Sequence, residues 1–248
     1  MSINGFDYLE QLKEIGNIVA VTREEVLRHV KPGITTKELD ELAGEILARH
    51  NAVSAPMSEY NFPGYTCISV NEEVAHGIPG KRVIQEGDVV NVDVSAKKNG
   101  VFADTGATIV VGQGTDLKHQ IVKTSQASLE KALEVVTAGS RLNLIGKTIQ
   151  DEVKKAGFTV IHNLTGHGIG KKLHEEPKHI LNYYFPFDNT VLKEGMVLAI
   201  EPFVSSNEEE VFEANDGWTL KTEKNSVVAQ FEHTVIVTKD KPIVLTRI

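Results

Sequence analysis

The sequence predicts a mixed α/β (α+β) fold made of two similar halves, about 7–112 and 115–246, fused in a single domain over residues 1–248. Three observations predict it. The first is a hairpin. Val90, Val92 and Val94 alternate with Asn91, Asp93 and Ser95, the period-two pattern of a strand with one apolar face. Asn99-Gly100 supplies a two-residue turn, and a second strand runs from Val101 to Val111. The second is a set of helical segments heading each half. The third is a repeat in the order of segments: helix, helix, strand, a His-Gly-Ile turn, then two strands. No linker separates the halves.

In the first half, Leu12, Ile15, Val19, Val26 and Val30 recur near helical spacing up to Pro32-Gly33, with Asp7 to Glu10 read as a capping box. Thr35 to Glu38 reads as a second capping box, before a buried stripe of Leu39, Leu42, Ala43, Ile46 and Leu47. Residues 51–65 carry two prolines with little periodicity and are expected to be an irregular loop. Cys67 to Val70 is a short strand, and His76-Gly77-Ile78 a turn. With Asn99-Gly100 as the hairpin loop, Asp93 faces Gly106 and lies diagonal to Asp104; a loop one position earlier puts the two acids directly opposite.

In the second half, a helix from Thr115 is expected to stop at Gly139, and another spans about Asn143 to Ala156 before Gly157. Phe158 to His162 reads as a strand, and 164–177 as a stretch rich in glycine and histidine. Strands follow at 196–204, 226–237 and 243–245, with 205–225 as a polar excursion on the surface.

The formal net charge of -8, with no Lys/Arg block, argues against nucleic acid or an anionic membrane as the main partner. The single cysteine, Cys67, excludes an internal disulfide framework and a cysteine zinc cluster. The N-terminal stretch lacks a signal-peptide pattern, and no apolar run reaches membrane-spanning length, so a cytoplasmic protein is expected.

Two acids in one strand pair usually face solvent. Here the pattern recurs. Glu86 to Asp93 matches Glu194 to Glu201, placing Asp93 over Glu201, and Asp104-Thr105 matches Glu232-His233. His76-Gly77-Ile78 echoes His167-Gly168-Ile169. Four carboxylates turned into one cleft repel each other and lose hydration. Two divalent cations would balance them. Oxygen donors with one imidazole suit manganese, iron(II), cobalt or zinc, and bridging carboxylates would hold two ions about 3.5–4 Å apart. Water between such ions is acidified, which makes a hydrolytic centre for a carbonyl or phosphoryl bond.

The chain resembles the type I, bacterial, methionine aminopeptidases over nearly its whole length. The resemblance rests on CISVNEEVAHGIP, VNVDVS, FADTGAT, TGHGIG, LHEEP, AIEPF, DGWTLKT and AQFEHT. It implies the pita-bread fold, a curved antiparallel sheet with helices outside and pseudo-twofold halves. It implies Asp93, Asp104, His167, Glu201 and Glu232 as metal ligands, with Asp104 and Glu232 bridging two ions. His76, His174 and Glu201 fall on the family's catalytic positions: Glu201 as proton shuttle, His174 near the developing oxyanion, His76 at the scissile nitrogen. Phe62, Cys67 and Trp218 match an apolar methionine pocket. Pro56, Glu59 and Leu173 depart from a common bacterial pattern in the pocket, not at the metals.

The implied substrate is the N-terminal initiator methionine of new polypeptides whose second residue is small, met near the ribosome by a monomeric enzyme. A proline-directed peptidase of the same fold and a non-enzymatic binding module are the competing readings. The first usually has another N-terminal domain and differently spaced histidines; the second loses metal ligands, all five of which are present here. His162 and His179 are read as structural, and Glu72, Glu73, Glu175 and Glu176 as solvated or locally bonded acids.

Overall fold

The computed structural model describes residues 6–223 and 226–248. The first five residues of the stretch read for a signal, and the last two of the 205–225 excursion, lie outside them.

Helix α1 spans Phe6–His29, so Asp7 sits inside its first turn and is not the cap expected of it. Its Leu12, Ile15, Val19 and Val26 are fully buried, and it ends ahead of Pro32, since proline disfavours the helical conformation in the residue before it. Helix α2 (Thr36–Arg49) has the expected capping box: Thr35 Oγ1 accepts from the Glu38 N–H, and Glu38 Oε2 accepts from the Thr35 N–H at 2.8 Å.

The stretch expected to be irregular contains strand β1 (Val53–Ser54) and helix α3 (Ala55–Tyr60). Ser54 Oγ accepts from the Met57 N–H, Pro56 stands in the first turn, and left-handed Asn61 ends the helix at φ 58°. Six residues are too few to show a helical period, so only the caps could reveal them.

Strands β2 (Cys67–Val70) and β3 (Glu73–Ala75) precede the long hairpin of β4 (Val89–Lys98) and β5 (Val101–Val110). Its register is the first of the two expected: Asp93 pairs with Gly106 and Ser95 with Asp104. The polar face of β4 is not solvated, because Asn91 and Ser95 are buried. Helix α4 (Asp116–Leu133) ends before Gly139; the intervening backbone makes isolated turns, and Thr137 bridges to Thr238. Helix α5 covers Asn143–Lys155.

The later strands are β6 (Thr159–Val160), β7 (Thr165–Gly168), β8 (Glu175–Leu181), β9 (Val197–Ile200), β10 (Phe203–Ser205), β11 (Phe212–Glu213), β12 (Leu220–Lys221), β13 (Val228–Gln230), β14 (His233–Ile236) and β15 (Ile243–Val244). The two long strands expected at 196–204 and 226–237 are each broken at an acid. Glu201-Pro202 separates β9 from β10, and Phe231-Glu232 separates β13 from β14. Pro202 has no N–H for a ladder, and the Glu232 N–H donates instead to Gly106 O at 2.8 Å.

Every pairing between these strands is antiparallel. Strand β4 lies between β2 and β5, and β9 lies between β7 and β14, so one order of three strands occurs twice. The two sheets join where β5 meets residues 232–234: Asp104 N–H donates to Thr234 Oγ1 at 2.9 Å, and Thr105 Oγ1 to Glu232 O at 2.8 Å. One apolar cluster packs α1 and α2 on β4; another packs α4 and α5 with β9 and β14. The expected antiparallel sheet with helices outside is therefore present. Among the described residues no helix is long and apolar enough to cross a membrane.

Candidate metal centre

Five side chains converge at the junction of the two sheets. Asp93 comes from β4, Asp104 from β5, His167 from β7, and Glu201 and Glu232 from the two strand breaks. Ligand atoms of Asp104, His167 and Glu232 lie within 4.8 Å of one another. His167 Nε2 stands 4.0 Å from Asp104 Oδ2 and 3.7 Å from Glu201 Oε1. Asp93 contacts Asp104 directly.

Burial and mutual repulsion push the Asp93, Glu201 and Glu232 carboxyls well above the usual range. Burial also raises Asp104, though contacts from Asp93, Ser95 and the Thr105 backbone oppose it. Burial lowers His167 to about 4. Its Nδ1 lies 3.0 Å from Gly168 O, which only accepts, so Nδ1 carries the hydrogen and the Nε2 lone pair faces the acids. Asp93 Oδ1, Asp104 Oδ1 and Glu232 Oε1 are buried without a hydrogen-bond partner among the described residues. Buried acceptors with no donor are costly. Oxygen lone pairs and one imidazole nitrogen aimed at a common point are a donor set that fits divalent cations.

Above the cluster is a cavity of about 270 Å³. All ten residues expected at the site line it: the five above, with His76, His174, Phe62, Cys67 and Trp218. Pro56 and Leu173 line it too, whereas Glu59 turns to Lys97 Nζ at 2.5 Å. His76 takes a left-handed φ of 53°, and Gly77 follows it because a Cβ there would lie 2.3 Å from Ile68 O. Burial lowers His76, and lowers His174 to about 4 with help from neighbouring His167, 4.2 Å away between ring centroids.

Trp218 arrives from the stretch expected to be a surface excursion. That stretch folds back, β12 pairing Leu220 with Ala75 beside His76. Asp216 accepts from the Trp218 and Thr219 backbones, and the indole meets Phe62 edge-on at 5.2 Å.

Comparison with known proteins fits this donor set. The profile of metallopeptidase family M24 matches residues 10–239. The chain belongs to metallopeptidase family M24. Within it, a protein named methionine aminopeptidase 2 of Bacillus subtilis is 50% identical, with 100% of each chain covered. Methionine aminopeptidase 1 of the same organism is 40% identical over 96% of this chain and 95% of that one. The crystal structure of a Thermotoga maritima methionine aminopeptidase superposes with a TM-score of 0.96 at 38% identity, covering 100% of each chain. The expected type I methionine aminopeptidase family and its pita-bread fold therefore hold for this M24 chain.

Sequence reasoning missed two residues that hold the side chains of this cluster and cavity. The Tyr60 hydroxyl shares a 2.7 Å hydrogen bond with His174 Nδ1. Gln230 Nε2 donates to Glu232 Oε2 at 3.2 Å and contacts Glu201, while its Oε1 accepts from Asn91 Nδ2 at 2.8 Å. The cap at Ser54-Ala55-Pro56 was the signal that leads to Tyr60; for Gln230 it was its place two residues before Glu232 on a strand.

Proposed function

We propose that this chain is a methionyl aminopeptidase, a metal-dependent hydrolase that removes the initiator methionine from new polypeptides when the second residue is small. What carries the reading is an apolar cavity whose floor is the five-residue donor cluster, in a chain 50% identical to a methionine aminopeptidase. Asp93, Asp104, His167, Glu201 and Glu232 are the residues that would hold two divalent ions, cobalt, manganese, iron(II) or zinc. Bound there, such ions supply Lewis acidity for the peptide carbonyl, an anchor for the free amine and a more acidic water.

The rest is the work of side chains. Phe62, Cys67 and Trp218 take the thioether side chain; burial and the nearby acids keep the Cys67 thiol neutral. Glu201 accepts a proton from the attacking water at its carboxylate and returns it to the leaving nitrogen. Tyr60 donates to Nδ1 of His174, so His174 keeps its hydrogen on Nε2 and donates it to the carbonyl oxygen as charge grows there. His76 meets the scissile nitrogen. Tyr60, His76 and His174 crowd the same cavity, which favours a small second residue.

The same reading has the enzyme in the cytoplasm as a monomer, acting near the ribosome, with no nucleic-acid or membrane partner. The net charge of -8 supports the last point. The test is release of methionine from Met-Ala-Ser and Met-Lys-Ser with manganese or cobalt. The first should be cut and the second resist. No release from Met-Ala-Ser under any divalent metal defeats the reading, and preference for Xaa-Pro peptides replaces it with a proline-directed one.

A further inference from the structure

Two cavities meet at the donor cluster. The deep one is walled by buried Phe62, Cys67 and Leu173. The other, about 440 Å³, shares His76, Asp93, His167, His174 and Glu201 with it and extends beside the β7–β8 hairpin. Its outer wall is polar and exposed: Asn163, Lys178 and His179. If the methionine side chain occupies the deep cavity, the residues after the scissile bond have the outer one to pass through. This step rests on the functional reading above.

Among the described residues Lys178 is the one lysine lining that outer cavity. The acids beside it in sequence are tied to backbone. Glu175 Oε1 accepts from the Lys171 and Lys172 N–H groups at 2.6 and 2.7 Å, and Glu176 Oε2 from the Lys178 N–H at 3.3 Å. The carboxylates that line the cavity, Asp93 and Glu201, belong to the donor cluster. Among the described residues no ion pair joins Lys178 to a carboxylate. Next to it, His179 Nδ1 is held 3.1 Å from Thr165 Oγ1.

We propose that Lys178, with His179 beside it, binds a substrate carboxylate downstream of the scissile bond. That carboxylate is either an Asp or Glu side chain or the C-terminal group of a short peptide. Each peptide here forms a pair with and without one carboxylate: Met-Ala-Ser against its amide, Met-Ala-Asp-amide against Met-Ala-Asn-amide, and Met-Ala-Ser-Asp-amide against Met-Ala-Ser-Asn-amide. The first pair reads the terminal source, the others the side-chain source. In low salt the wild type should favour the carboxylate in at least one pair by about two- to five-fold in kcat/KM, the size of a solvent-exposed ion pair. The gain should lie in KM and shrink at high salt. Lys178→Glu should bring that ratio to one or invert it. Ratios near one in all three pairs, or ratios identical in Lys178→Glu, overturn the inference. Met-Ala-amide, with nothing beyond the second residue, reports the functional reading separately; if it and every longer peptide stay uncut, the reading and this inference fall together.

Discussion

Side chains in one cavity can hold cations, move protons or orient another group, and single substitutions separate these roles. Asp104 lies within ligand distance of both His167 and Glu232, and one of its oxygens has no partner. Asp104→Ala should lose both bound metal and rate. His174 lies on the cavity wall, its Nδ1 hydrogen-bonded with the Tyr60 hydroxyl at 2.7 Å. His174→Ala should keep its metal and lose about a hundred-fold or more in kcat, as expected for a donor to a developing oxyanion. Metal analysis beside steady-state kinetics checks both; an active, metal-replete Asp104→Ala contradicts the assignment. Tyr60 acts one step further out, through its 2.7 Å bond to His174 Nδ1. Tyr60→Phe should cost about ten-fold in kcat with metal content unchanged. It should also shift the ¹⁵N resonances of His174 toward a mixture of tautomers, which a purely packing role would not do.

At the scale of strands and helices, the site depends on a glycine in β5. A Cβ on Gly106 would stand 2.2 Å from Gln230 Oε1. That amide cannot swing away freely, because Asn91 holds its oxygen and Glu232 its nitrogen. Gly106→Ala should therefore lower metal affinity about ten-fold and reduce the melting temperature. Competition with a metal-binding dye and thermal unfolding read the two effects, and an unchanged affinity would show that Gln230 does not position Glu232. Gly106 was legible in the sequence as the partner of Asp93 in one of the two registers weighed, the one in which Asn99-Gly100 closes a hairpin of two ten-residue strands. The repeat likewise brought His167, Glu201 and Glu232 into view. Other elements were illegible for physical reasons. Strands β11 and β12 are two residues each, too short to carry a period. The 205–225 stretch is polar, yet its pairing with β3 delivers Trp218 to the cavity, a long-range contact without local signature. The long strands expected at 196–204 and 226–237 failed at Glu201 and Glu232, where backbone leaves the ladder to place an acid.

For the molecule as a whole, the donor cluster links folding to pH and to metal. Without cations, the raised Asp93, Glu201 and Glu232 carboxyls hold protons that the unfolded chain releases above about pH 4. Their contribution is present at low pH and is lost as pH rises through the raised values. The histidines act the other way. His167 and His174 titrate at about 4, and His233, lowered by burial and then by Arg23, at about 3, so the folded state refuses protons that the unfolded chain takes up below about pH 6.5. The two trends oppose each other between about pH 4 and 6.5. Above that window the histidines are neutral in both states and the carboxyls contribute, joined above about pH 8.5 by the Cys67 thiol, which burial raises and which acts with the same sign. The melting temperature of the metal-free protein should therefore fall as pH is raised above about 6.5 for as long as the raised carboxyls are losing their protons. Saturating manganese should remove that decline, because the acids are then ionised against cations. At about a thousand times its dissociation constant the ion adds about 4 kcal/mol, which for a chain of this length raises the midpoint by about 8–16 °C. Thermal unfolding in chelator and in manganese across that pH range measures both slopes. A chelator-treated protein whose midpoint holds level with rising pH and does not respond to manganese would mean that the acids are neutralised by something other than bound cations.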